Sequence, residues 1–181
     1  MSNPYIPETL VPVHLAAPAA DAAGRTSVYI SLKNATKAYI LAYIDQGNAA
    51  TILLSPLQAT AVAGTGSKVL ANAIRVWSNL DCAASNALVR RTDAVNYTTD
   101  AGVKKKVVVF EIDRTKLDVD GGFDCVGIST GASNAANITS AFALVVPNHA
   151  GDTAVSFIAD YSAHGGRHVA ARGVPLSPLF R

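Results

Sequence analysis

The chain has 181 residues, of which 50% are hydrophobic and only 15% are charged, and its formal net charge is +2. This length fits one domain with additional terminal segments, and so mild a positive charge argues against a nucleic-acid-binding protein. No run approaches the ~20 apolar residues of a membrane-spanning helix, and the first residues lack the basic and apolar regions of a signal peptide. We therefore expect a protein kept in a cytoplasm, with Cys82 and Cys125 as reduced thiols, although two cysteines also permit one disulfide.

The low charged fraction has two interpretations. A surface with few charges is poorly protected against association, which favours burial against neighbouring subunits. The alternative is a tightly packed domain rich in alanine, a residue that supplies much of the apolar share but fills little volume.

The N-terminal residues 1–26 contain four prolines and a cluster of alanines. Proline removes backbone donors and favours extended structure, so we interpret this segment as an extended arm. The body, residues 27–147, consists of short apolar segments separated by Gly, Asn, Asp and Ser. Each segment is long enough for one strand, and such strands at a spacing of roughly 8–12 residues predict an all-β sandwich or barrel.

Two hairpins are predicted in the body. Residues 38–45 form a nearly continuous apolar strand with both faces covered, and a Gln-Gly-Asn turn leads from it into residues 51–54. Residues 123–129 and 139–146 are predicted to pair across a polar loop, and Pro147 ends the last strand.

One short helix is predicted after the first hairpin. Ser55, Pro56 and Gln58 have the spacing of a capping box, and Gly64 would end the helix after about two turns. The next segment, residues 69–77, fits a helix about as well as a strand, and its β-branched and aromatic residues favour a strand.

The remaining segments of the body are predicted as strands and one turn. Two short strands, or one interrupted strand, are expected over 87–91 and 94–98, and the strongest signal for a buried strand lies at 106–112. Asp113 is predicted to cap a single helical turn because its carboxylate can accept from the following amides. Residues 148–181 carry three of the four histidines and are interpreted as a C-terminal arm.

No motif predicts catalysis or a cofactor. Residues 131–135 approach G-x-S-x-G but lack the second glycine and the strand-to-helix setting, which favours a hairpin loop. Residues 64–68 break the residue order of a phosphate-binding loop. We therefore expect no enzymatic activity.

Two groups of side chains are candidate metal ligands. His164 and His168 would share one helix face, but the glycines at 165 and 166 argue against a helix and hence against a zinc site. The carboxylates within residues 118–124 lack the later bidentate Glu and the flanking helices of a calcium loop, which favours solvated turn carboxylates. We therefore expect no metal.

The densest positive features are an Arg-Arg pair and a run of three lysines, which would share one edge if their strands are neighbours. They would contact an acidic capsid or partner surface, or packaged nucleic acid; the alternative is a solvated edge that discourages aggregation. The candidate partner-binding residues, including three on the arms, are Arg90, Arg91, Lys104, Lys105, Lys106, Tyr5, His164 and His168.

Several phrases within residues 27–147 resemble small virion proteins of tailed bacteriophages. They are Lys33–Tyr39, Asp45–Thr51, Trp77–Ser85, Phe123–Cys125 and Gly131–Thr139. In these phrases the chain is similar to the capsid cement proteins of Bordetella-phage-type podoviruses. The resemblance implies a jelly roll or related β-sandwich that dimerises on the outside of an icosahedral head and rivets neighbouring major capsid subunits. It offers no active-site residues.

Together these observations predict an all-β protein, a jelly-roll-like β-sandwich with one short helix and extended arms at both ends. It is expected to be a non-enzymatic structural protein of the virion, with the major capsid protein and a second copy of itself as partners and with neither membrane nor nucleic acid. The alternative is a carbohydrate-binding β-sandwich module of a phage head fibre or tail. That alternative requires exposed aromatic side chains on one strand face, and only 7% of the residues are aromatic.

Overall fold

A computed structural model of the chain describes residues 9–148, which form two antiparallel six-stranded sheets. The strands of sheet A are β1 (Val11–Ala20), β4 (Ala35–Gln46), β7 (Arg75–Asn79), β8 (Val89–Arg90), β10 (Lys105–Asp113) and β12 (Asn137–Pro147). The strands of sheet B are β2 (Arg25–Thr26), β3 (Ile30–Ser31), β5 (Leu53–Ala59), β6 (Lys68–Val69), β9 (Tyr97–Thr98) and β11 (Cys125–Thr130). The predicted all-β sandwich is confirmed.

The strand order is that of a jelly roll. Sheet A runs β1-β12-β4-β10-β7-β8, and sheet B runs β2-β11-β5-β6 with β3 also on β11 and β9 also on β5. The chain thus pairs its strands from the two ends inwards: β1 with β12, β2 and β3 with β11, β4 with β10, and β5 with β6. Strands β7 and β8 are additional to these pairs and extend sheet A beyond β10.

The core lies between the sheets because side chains alternate along each strand. On β4 the even-numbered residues from Ala38 to Ile44 are buried, and on β10 the same holds for Val108, Phe110 and Ile112. They pack in one cluster with residues of sheet B such as Leu54. The other side of β4 and β10 therefore points away from the core.

Both predicted hairpins are wrong. Strand β4 lies between β10 and β12 in sheet A, whereas β5 belongs to sheet B; β11 and β12 are divided between the sheets in the same way. Each predicted hairpin turn instead carries the chain across the sandwich. A turn signal is local, whereas the partner of each strand is decided by packing between residues far apart in the sequence.

The predicted helix at Ser55 is also wrong, because these residues lie within β5. Residues 54–59 are all buried, since β5 pairs with β11 on one side and its outward side chains are covered. On its other side β5 pairs with β9 at Leu53–Leu54 and with β6 at Leu57–Gln58, so this ladder is interrupted where Pro56 lacks a backbone donor. Tertiary pairing has overridden the local capping signal.

The boundary of the predicted N-terminal arm requires correction. Residues 11–20 pair with β12, and residues 25–26 pair with β11, so both are part of the sandwich. Strand β1 lies at the edge of sheet A, where prolines are tolerated. Residues 1–8 and 149–181 lie outside the described residues, and with them Tyr5, His164, His168 and the rest of the predicted arms.

Other predictions are confirmed. Residues 69–77 contribute strands and no helix, β8 and β9 fall within the two predicted short strands, and β12 ends at Pro147. Residues 114–116 form a single 3-10 turn, and the Asp113 carboxylate accepts from the Thr115 amide at 2.9 Å. This is the predicted cap.

Candidate functional site

The outward side chains of sheet A, which we call the outer face, form straight rows across its strands. In the central row Leu41 lies opposite Phe142 of β12 and Val109 of β10, and Val109 lies opposite Trp77 of β7. The row ends at His14 of β1 and Arg90 of β8. One line of side chains thus crosses all six strands, and its four central members are apolar.

The rows on either side extend the apolar centre. Tyr39 lies opposite Leu144, and Tyr43 lies opposite Val107. Phe142 is 48% exposed and Tyr43 is 39% exposed, although each lies within a long strand of sheet A. Exposed apolar side chains grouped on one sheet face, here around the nearly buried Val109, are typical of surfaces that bind another molecule.

Sheet B differs because its outer face is already covered. Tyr29, Leu57 and Cys125 form a second apolar cluster, against which Val62 of the 60–67 loop packs. The same loop approaches so closely that a Cβ at Gly64 would lie 2.9 Å from Cε2 of Tyr29. Within residues 9–148, no equivalent loop covers Phe142 and Tyr43 on sheet A.

Charged side chains lie at the edges of the outer face. The Lys37 ammonium lies 2.7 Å from the Glu111 carboxylate, and Arg75 lies 3.6 Å from its other oxygen. The hydrogen bond from Lys37 to Glu111 raises the pKa of that lysine. At the β8 edge the Arg90 guanidinium lies 5.0 Å from the Trp77 ring centroid and pairs with Asp93.

Of the predicted basic residues, Lys106 is placed differently from the prediction. It is fully buried on the inner face of β10, where its amine donates to the Gln46 side chain at 2.7 Å and to the Asp100 carbonyl at 2.9 Å. The amine also pairs with the Asp100 carboxylate. The prediction that Lys106 contacts a partner at the surface is therefore wrong, since alternation along β10 turns every second side chain inwards.

The other four basic residues do not form one positive edge, because β7 lies between β8 and β10. Lys104 lies 2.5 Å from the Asp81 carboxylate, and Arg91 donates to the Ser78 hydroxyl at 2.7 Å. Lys105 is exposed on the outer face, and among residues 9–148 its amine has no ion-pair partner. It is the only one of the three lysines available to a partner without breaking an existing pair.

In the loop of aspartates after β10, the Asp118 carboxylate is bonded to a lysine and to a backbone amide. One oxygen of Asp118 lies 2.6 Å from the Lys68 amine, and the other accepts from the Gly121 amide at 3.1 Å. The hydrogen bond from Lys68 lowers the pKa of Asp118. Among the described residues, no three His, Cys, Asp or Glu side chains are grouped as metal ligands.

The Ser133 hydroxyl, which belongs to the sequence resembling G-x-S-x-G, has structural partners. The Ser133 hydroxyl donates to the Ala50 carbonyl and accepts from the Asn137 amide, at 3.3 and 2.9 Å.

Cys82 and Cys125 are both free thiols. Burial raises the pKa of Cys125 to about 12, so it is a protonated thiol at neutral pH.

Comparison of the chain with protein-family models, curated proteins and solved structures finds no match. In the described residues there is also no helix with the length and apolar character to span a membrane. The choice of the outer face as the candidate functional site therefore depends on its geometry alone. The sequence does not reveal this face, because Tyr39, Leu41 and Tyr43 make β4 apolar on both sides, and that pattern predicts a strand covered on both faces.

Proposed function

We propose that this chain is a non-enzymatic structural protein of a virion, which binds the outside of a phage head and cements neighbouring major capsid subunits. The observation that carries the proposal is the outer face of sheet A, a broad sheet surface with an apolar centre and charged edges. Small molecules bind in concave pockets, whereas broad surfaces with an apolar centre and a polar rim suit protein partners. The phage head as the setting comes from the sequence resemblance within residues 27–147.

A cement protein has to hold at least two neighbouring subunits at once. Linked attachment points raise the overall affinity far above that of each contact, so individually weak contacts suffice. The outer face and the basic residues Lys104, Lys105 and Arg91 are the surfaces to which we assign these contacts. Lys106 is excluded from them by its burial.

The test is co-sedimentation of the purified full chain with phage heads that lack it. We expect saturable binding of the wild-type chain and loss of most binding for Phe142→Ser, because this change removes an exposed apolar side chain from the centre of the outer face. Val69→Ser is the matched control, since Val69 is 45% exposed but lies on β6 of sheet B. Absence of wild-type binding to heads would contradict the proposal.

A carbohydrate-binding module is the second candidate, and one observation favours it. Tyr39, Tyr43, Trp77 and Phe142 share the outer face, which supplies the aromatic surface that this function requires. The Trp77 ring is covered by Arg90, so a sugar would have to displace the guanidinium. Binding on a glycan array that is lost in Trp77→Ala would favour this function, and an array without signal would exclude those sugars as ligands.

A further inference from the structure

A cavity of about 420 Å³ lies at one end of the outer face. It is found where β4 and β7 begin and β10 ends, and its lining also includes residues 73–74, Asp93 and residues 115–116. None of the apolar residues at the centre of the outer face lines it. Its volume is within the range of cavities that hold small ligands.

The lining of this cavity is mostly charged. Three basic and three acidic side chains contribute to it, and they are Lys37, Arg75, Lys116, Asp93, Glu111 and Asp113. Among them the Glu111 side chain is only 10% exposed. Cavities for small ligands are usually lined by apolar side chains with a few polar groups. Because the reverse holds here, we expect the occupant itself to be charged.

The three acidic side chains already have partners. One Glu111 oxygen lies 2.7 Å from the Lys37 amine, and the Asp93 carboxylate pairs with Arg90. One Asp113 oxygen accepts from a backbone amide of the following turn at 2.9 Å. A cation entering the cavity would therefore compete with existing contacts for each carboxylate.

Two of the basic side chains, in contrast, have unused donors. Among residues 9–148 the Lys116 amine has no hydrogen-bond or ion-pair partner. The Arg75 guanidinium makes no hydrogen bond within these residues either, and the Glu111 oxygen with which it pairs is 3.6 Å away. When Arg90 is counted with its partner Asp93, four basic and three acidic side chains leave one net positive charge.

We propose that this cavity binds a carboxylate group, which is held by the Arg75 guanidinium and the Lys116 ammonium. The guanidinium has pairs of coplanar N–H donors that match the two oxygens of a carboxylate. A phosphate dianion fits less well, because Glu111 and Asp113 line the same cavity and repel a second negative charge. The site therefore selects a singly charged anion.

The carboxylate can belong to a free small acid or to an acidic side chain of a protein partner, since both offer the same pair of oxygens. An acid held in the cavity leaves Phe142 and Tyr43 uncovered, because neither residue lines it. The inference thus goes beyond the proposed function and does not depend on the phage head as the setting.

The first test is an NMR titration of the full chain with sodium acetate, with sodium chloride holding the ionic strength constant. We expect saturable shifts of the Arg75 Nε–H and of the amides of residues 73–75 and 115–116, with a dissociation constant in the millimolar range. Arg75→Gln should weaken binding about tenfold or more, because it removes the charged pair of donors. This variant is expected to fold, since the Arg75 side chain is 61% exposed.

Arg114→Gln is the matched control. Arg114 belongs to the same turn as Lys116, but its guanidinium donates to the Lys33 carbonyl at 3.1 Å and does not line the cavity. The control removes one positive charge, as Arg75→Gln does, so it should bind acetate as the wild-type chain does. Absence of saturable shifts in the wild-type chain would overturn the proposal. Equal weakening by the control, or tighter binding of inorganic phosphate than of acetate, would overturn it too.

The second test identifies the source of the carboxylate by co-sedimentation with phage heads in saturating acetate. If the group is an acidic side chain of the capsid, acetate should lower the bound fraction of the wild-type chain, whereas chloride at the same ionic strength should not. Binding to heads that acetate leaves unchanged would assign the site to a free small acid. A chain that binds acetate but no heads would count against the proposed function alone.

Discussion

Lys106 places a positive charge in the interior of the sandwich. Its amine is bonded to the side chain of Gln46 and to the main chain and side chain of Asp100, while Thr99 donates to the same Gln46 oxygen at 3.2 Å. A buried ammonium is tolerated only when such partners replace the water it has lost. The two partners are unequally exposed, since Lys106 is fully buried and the Asp100 side chain is 52% exposed.

This asymmetry predicts unequal effects of removing each partner. Asp100→Ala leaves the buried ammonium without its carboxylate and should cost about 3 kcal/mol, whereas Lys106→Met leaves a carboxylate that water reaches and should cost about 1 kcal/mol or less. Chemical denaturation of both variants measures the difference. The exposed Asp120→Ala is the control, with an expected change below about 0.5 kcal/mol. Equal losses for the two variants would show that the ammonium does not depend on Asp100.

The two thiols should differ in reactivity. Burial raises the pKa of Cys125 to about 12, and burial also raises the pKa of the half-buried Cys82. Because the thiolate is the reactive form, we expect slow labelling of Cys82 at pH 8 in the native protein and labelling of Cys125 only after unfolding. Mass spectrometry after timed exposure to a thiol reagent checks this order. Rapid native labelling of Cys125 would contradict its burial beneath the 60–67 loop.

At the scale of elements, the turn between β1 and β2 is attached to both sheets by Arg25. Its guanidinium bonds the buried Asp21 carboxylate at 3.2 Å, the Ala17 carbonyl at 2.8 Å and the Thr139 hydroxyl at 2.9 Å. Thr130 of β11 donates to the same Asp21 oxygen at 2.7 Å. One side chain thus connects the first strand, the last strand and sheet B.

Removing this connection should destabilise the fold strongly. Arg25→Ala leaves the Asp21 carboxylate buried with Thr130 as its remaining side-chain donor, at an expected cost of about 3 kcal/mol. Adding Asp21→Asn removes the unpaired charge and should recover about 1 kcal/mol or more. Denaturant unfolding of the single and double variants measures both changes. A double variant less stable than Arg25→Ala would mean that the buried charge is not the cause.

Sequence patterns predict the structure of a segment correctly where the interactions that determine it are local. The apolar run of β10, the Pro147 end of β12 and the Asp113 cap all depend on residues within a few positions of one another. The cap signal at Ser55 failed because residues 54–59 gain more from pairing with β11 and from burial between the main core and the second apolar cluster than from two helical turns. The alanines and prolines of residues 11–20 give little strand signal and so predict an arm, and only pairing with β12 makes these residues a strand.

At the scale of the whole molecule, acid should weaken the fold through several aspartates at once. The pKa of Asp100 is lowered by its hydrogen bond with Lys106, that of Asp118 by Lys68, and that of Asp113 by the Thr115 amide. A carboxyl whose pKa is lowered by folding contributes stability above its unfolded pKa of about 3.9, and this contribution is lost as pH falls through the lower folded value.

The expected result is a melting temperature that changes little from pH 8 to pH 5 and falls steeply below about pH 4. Differential scanning calorimetry across this range measures it. Asp113→Asn keeps a capping side chain but cannot titrate, so it should flatten part of the acid decline. A protein as stable at pH 3 as at pH 7 would contradict the contribution of these pairs.

The assignment of strands to sheets was beyond the reach of sequence patterns. Nothing near Gly47 or Gly131 distinguishes a hairpin from a crossover, and the outer face exists only because β12, β4, β10 and β7 become neighbours in register. Its central row draws residues from positions 14 to 142 of the chain. The sequence shows that these residues are apolar or aromatic, but only the strand topology places them on one surface.

The pairing of β1 with β12 sets the order in which a nascent chain can acquire its structure. Val11 lies opposite Val145, so β1 has to wait for β12, the last strand of the described sandwich, before the two can pair. Sheet A therefore cannot close during synthesis until nearly the whole sandwich has been translated. Contacts between such distant positions also slow folding in general.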